Sequence, residues 1–176
     1  LKYTKDKAEN KIRLGHYYHD NGDFIKSENH FLTAKEYAFK GNDLGMEVKA
    51  IADYMNAFFN INSPAKALQQ LYEVKERVVQ SEDKNLLFTL YELVNEQYLV
   101  LGTKMDIRKS SADTMLLIAK EMNDTMMLRI AYFNLAVSTL EQESIDYYLT
   151  SLNYVNAQDS LSYLSSIYNN LSARYR

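Results

Sequence analysis

The chain of 176 residues is 47% apolar, carries a formal net charge of −3, and contains 5 Gly, 1 Pro and no Cys. A chain of that length suits one globular domain or a short repeat array and can bury roughly 70% of its unfolded surface. Scarce turn residues exclude an all-β protein. Absent Cys excludes disulfides, thiolate zinc sites and a Cys nucleophile, and the lack of a basic block withdraws support from nucleic-acid binding.

No apolar run approaches the ~18 residues needed to span a membrane, and no signal peptide is visible. A cytoplasmic setting without membrane attachment is expected. The sequence starts at Leu1 rather than Met, so it reads as a piece of a larger protein.

Apolar periodicity between polar breaks predicts nine helices, about 3–20, 24–40, 44–60, 64–80, 84–101, 105–122, 125–140, 144–156 and 160–175. Asp43, Asp83, Asp124 and Asp159 each follow a small polar cluster, at intervals of 40, 41 and 35 residues. Each is expected to cap a new helix by accepting bonds from its free N–H groups. An interval near forty suits two helices, and the middle breaks agree. Asn21-Gly22 divides the first, Asn62-Ser63-Pro64 the second and Gly102-Thr103 the third, with a weaker break over Glu141 to Ser144. Ser63 is the expected cap there, with Pro64 in the first helical position, where its missing N–H costs nothing.

The first hairpin has the most telling content. Leu14, Gly15 and Tyr18 lie on its first helix, Gly22-Asp23-Phe24 form the corner, and Ser27, Phe31 and Ala34 lie on its second. A small residue such as Gly15 lets two helices approach closely, and Phe31 and Ala34 share one helix face. The spacing resembles the tetratricopeptide repeat, in a long-period variant like those of bacterial signalling and regulatory proteins. Later units match more loosely. Tyr54, Met55 and Phe58 pair with Ala67, Leu71 and Val74 in the second. Val94, Asn95, Tyr98 and Gly102 hold phase in the third, where Ala112 and Met115 need a one-residue insertion. Leu135 and Ala136 fit in the fourth, and Leu171, Ser172 and Tyr175 suggest a further first helix.

The expected fold is therefore all-α, an α-α superhelix (a tetratricopeptide-like solenoid) of about four hairpins plus a C-terminal helix, with approximate repeats 3–42, 43–82, 83–123, 124–158 and a final helix 159–176. Another α-solenoid and a closed helical bundle are the alternatives.

Catalytic motifs are missing: there is no GxGxxG, P-loop, GxSxG or HExxH. His16, His19 and Asp20 fall within one helical turn and could hold zinc or copper weakly, but they read better as exposed residues beside a hairpin corner. Glu92 and Glu96, four apart on the fifth predicted helix, could do acid–base work and read better as an acidic patch. The 15 Tyr and 7 Met are expected in inter-helix packing, the Tyr with their hydroxyls in water. No enzymatic activity, metal or cofactor is expected.

The resemblance implies that the first helix of each hairpin lines a concave face that holds a protein or peptide segment. The phase assigns Arg13, His16, Lys49, Asp53, Asn56, Glu92, Glu96, Asn134 and Asn170 to that face. Asn both donates and accepts, which suits a peptide backbone. Ile12 and His16 stand where one subtype of the family wants Lys and Asn to grip a C-terminal carboxylate. Asp53 and Glu92 further oppose an anion, so a mixed or basic peptide is expected. A peptide-sensing regulator and an enzyme on a solenoid are the lesser alternatives. A stripe of Leu164, Ile167, Leu171 and Tyr175 on the last helix is expected to be exposed and could join two copies.

Overall fold

The computed structural model describes residues 2–58, 64–156 and 161–175. Regular structure among them is helical throughout: α1 (Lys2–Asp20), α2 (Phe24–Lys40), α3 (Leu44–Ala57), α4 (Pro64–Gln80), α5 (Lys84–Val100), α6 (Met105–Met122), α7 (Thr125–Val137), α8 (Glu141–Leu152) and α9 (Leu161–Arg174). The chain divides into two compact units, Leu1–Leu93 and Val94–Arg176, with the boundary inside α5. In the first, α1 packs on α2 and α3, α2 on α3, and α3 on α4; in the second, α6 packs on α7, α7 on α8, and α8 on α9.

One corner recurs. A residue of positive φ precedes an Asp whose carboxylate accepts a backbone N–H three residues on. Gly22 (φ 76°) leads into Asp23, bonded by Lys26 at 3.2 Å. Asn42 (φ 52°) leads into Asp43, bonded by Met46 at 2.9 Å. Glu82 (φ 55°) precedes Asp83, bonded by Leu86 at 3.1 Å, and Asn123 (φ 51°) precedes Asp124, bonded by Met127 at 2.9 Å. The expected caps at Asp43, Asp83 and Asp124 are thus formed. The positions of Ser63 and Asp159 lie outside the described residues. Gly and Asn tolerate the left-handed conformation, whereas Glu82 is strained in it. Exposed Glu82→Gly should therefore raise stability by about 1 kcal/mol, read as a higher urea midpoint at unchanged slope.

The even helices share one packing stripe. Their fourth, eighth, eleventh and fifteenth residues are buried: Ser27, Phe31, Ala34 and Ala38 on α2; Ala67, Leu71, Val74 and Val78 on α4; Arg108, Ala112, Met115 and Ala119 on α6. The shorter α8 keeps the first three, Ser144, Tyr148 and Ser151. These offsets mark one face of a 3.6-residue helix. Except at Ala67 on α4, the fourth residue also ties its hairpin by a hydrogen bond to backbone. Ser27 Oγ donates to the Gly15 carbonyl at 2.8 Å, and Ser144 Oγ to that of Ala136 at 2.7 Å. In the third hairpin the polarity reverses: Asn95 Nδ2 donates to the Arg108 carbonyl at 2.8 Å. The buried Arg108 guanidinium donates to the carbonyl of Val137, at the negative end of α7.

Three expectations need correction. The predicted helix over 44–60 stops at Ala57, where Phe58 caps it by donating to the Tyr54 carbonyl. The helices predicted over 125–140 and 144–156 are Thr125–Val137 and Glu141–Leu152. Ser138 N–H and Thr139 Oγ1 both donate to the Leu135 carbonyl, closing α7 early. Ser144, the expected start of the latter helix, is instead the buried fourth residue of α8. Half of the stripe expected to be exposed on α9 is core. Ile167 and Leu171 pack with Ala136, Ile145 and Tyr148, and of the four only Tyr175 is largely exposed. The ground for joining two copies through α9 is correspondingly reduced.

Candidate functional site

The nine residues assigned to a binding face fall into distinct settings. Five lie on α1 and α3, which pack together in the first unit. His16 Nε2 stands 3.7 Å from Asp53 Oδ1, and Lys49 Nζ, one turn before Asp53, stands 2.7 Å from Oδ2. Arg13 and Asn56 are exposed on the same two helices. The His16 ring meets Phe31 edge-on at 5.0 Å, which fixes the imidazole over the hairpin core. Asp53 is 19% exposed, against 47% for His16 and 56% for Lys49. The carboxylate is thus largely covered, while the two partner side chains stay open to solvent. Lys49 and His16 flank the Asp53 carboxylate.

Glu92 and Glu96 lie on α5, Glu92 in the first unit and Glu96 in the second. Both are partly buried. Burial pushes the Glu96 carboxyl above its ordinary value. Its folded form therefore holds a proton more readily than its unfolded form, so stability from this group is lost as pH rises through the raised value. Glu96→Gln should raise the urea midpoint at pH 7, and the gain should vanish below the ordinary Glu value of 4.5.

Asn134 and Asn170 are placed differently from expectation. Asn134 is buried, with its amide donating back to the Ile130 carbonyl at 2.9 Å within α7. Asn170 is half-buried and hydrogen-bonds the Tyr148 hydroxyl. Several Tyr hydroxyls expected in water are likewise engaged. Buried Tyr54 donates to Glu28 Oε1 at 3.1 Å, and Tyr163 meets Ser151 Oγ at 2.6 Å.

The three histidines do not converge. His16 faces Asp53, His19 contacts Asp20 and the rings of Phe24 and Phe58, and His30 stacks on Tyr18. Among the described residues no three His, Asp or Glu side chains are grouped to hold a metal ion, and no helix is long and apolar enough to cross a membrane.

Sequence reading passed over a second feature, the pairing of Glu47 with Arg77. Glu47 is 1% exposed and takes two hydrogen bonds from the guanidinium, at 2.7 and 2.8 Å. One signal was present. Glu47 shares a helical stripe with Ile51 and Tyr54, both core residues. An acid in a core phase implies a buried cation somewhere, but nothing local says which. Compared with protein-family models and with curated proteins, the chain matches none.

Proposed function

We propose that the chain is an interaction module of the tetratricopeptide type, in which hairpins stack into a superhelix and the odd helices hold a peptide segment of another protein. The observation that carries this reading is the recurring stripe on α2, α4, α6 and α8. The same face of every even helix is committed to packing, through the same four offsets or the first three of them. The small-to-aromatic contact of Gly15 with Phe31 and the bond from Ser27 to Gly15 fit the family's spacing in the first hairpin.

The α1–α3 cluster suits a peptide of mixed charge. A ligand carboxylate meets Arg13 and Lys49, and Asn56 can both donate to and accept from a peptide backbone. These contacts are exposed, so each adds little alone, and affinity comes from several acting together.

The test is a displayed-peptide selection against the whole chain, followed by binding measurements on the chosen sequences. The expected result is a consensus whose affinity falls at least about tenfold in the triple variant Arg13→Ala, Lys49→Ala, Asn56→Ala, a loss of about 1.4 kcal/mol. Unchanged affinity in that variant, at unchanged helicity, would remove the α1–α3 face from the proposal. Selection without any consensus would count against a peptide-binding role.

A further inference from the structure

Between α2, α3 and α4 of the first unit lies a cleft of about 320 Å3. The buried Glu47 carboxylate grips Arg77, and the Arg77 guanidinium carbon lies 5.0 Å from the centroid of the Phe39 ring. One fixed group thus holds the next. Phe39 nevertheless remains 60% exposed. Aromatic rings and Arg are both enriched at protein–protein interfaces, and here the two are offered to solvent as a stacked pair.

The charges of the cleft narrow the choice of occupant. Its lining has three cations and three carboxylates. Arg77 pairs with Glu47, Lys35 with Glu73, and Lys40 stands 3.9 Å from Glu36. Lys35 also donates to Gln70 at 2.7 Å. The lining is balanced in charge, so it offers an ionic occupant no net attraction, and its two close pairs would have to be broken to bind one. A neutral ring breaks none of them and gives Phe39 a stacking partner, with the paired charges as a polar rim. The volume lies at the small end for ligand sites and suits one ring system rather than a nucleotide.

We propose that this cleft binds an uncharged aromatic side chain, Phe, Tyr or Trp, presented by a partner protein. It shares no residue with the α1–α3 cluster, so the inference stands independently of the peptide reading above.

The experiment is an NMR titration of the whole chain with four probes: acetyl-Gly-Trp-Gly-amide, free indole, indole-3-acetate and tryptamine. The expected result is saturable movement of the Phe39 ring and Arg77 side-chain signals with the neutral peptide. Its affinity should exceed that of free indole and of both charged probes. Phe39→Leu keeps an apolar residue at an exposed position and should weaken the peptide at least fivefold, with circular dichroism unchanged. Absence of saturation, tighter binding of either charged probe, or equal binding by Phe39→Leu would overturn the proposal. Tighter binding of free indole than of the peptide-borne ring would also overturn it, by pointing to a small molecule instead of a protein side chain.

Discussion

Arg77→Met is expected to destabilise the protein by roughly 3–5 kcal/mol, a large share of the ~5–15 kcal/mol that separates a folded domain from its unfolded chain. The reason lies on the Glu47 side of the pair. Arg77 has a side chain 39% exposed, while that of Glu47 is only 1% exposed. Removing Arg77 leaves a carboxylate buried with neither of its two charge-assisted bonds. Removing Glu47 instead leaves a guanidinium that can turn toward water. Glu47→Gln should therefore cost clearly less than Arg77→Met. The double variant Glu47→Leu, Arg77→Met should recover most of the loss, because an apolar pair of similar volume avoids the desolvation of both ions. With Glu47→Leu alone added, urea unfolding of the five proteins supplies the complete cycle. A cost below about 1 kcal/mol for Arg77→Met would mean that the charge on Glu47 is met by other means, and the rigid support inferred for Phe39 would fail with it.

The same pair shows where sequence reading reaches its limit. Corners were legible because their chemistry is local. An Asp bonds an N–H three residues away, and a Gly or Asn supplies the left-handed residue before it. Even helices were legible in part because their stripe is periodic. Glu47 and Arg77, by contrast, meet across 30 residues, and no spacing rule links them. The α7–α8 corner misled for a related reason. Its cap residue is Leu140, which makes no side-chain bond, so the corner shows only as a weak break, and Ser144 is taken up by packing inside α8. Asn134 fell to the same effect. Helical phase located its turn, but the adjoining burial turned its amide back on its own helix. Of the proposed face, the α1–α3 part stands together because those two helices pack directly.

Gly15 and Phe31 should be coupled strongly enough to give a change of sign. A Cβ on Gly15 would stand 2.8 Å from Phe31 Cε1 and Cζ, closer than carbon atoms pack. The ring has little room to yield. It is 1% exposed and makes aromatic contacts with His16 at 5.0 Å, Phe58 at 6.4 Å and Tyr54 at 6.5 Å. Gly15→Ala gains about 1 kcal/mol of helix propensity, but overpacking costs about 1–3 kcal/mol, so the net effect is destabilising. Phe31→Ala alone should cost about 3–5 kcal/mol through lost burial and the cavity left behind. In that background the obstacle to a Cβ is gone. Gly15→Ala then keeps its propensity gain and fills part of the cavity, so the second substitution should stabilise. The cycle should report a coupling of about 2 kcal/mol. Equal effects of Gly15→Ala in both backgrounds would mean that the two helices move apart to admit the methyl group. The bond from Ser27 Oγ to the Gly15 carbonyl, 2.8 Å long and buried, opposes that movement. Ser27→Ala should therefore lessen the penalty of Gly15→Ala, since the helices could then separate without breaking a buried hydrogen bond.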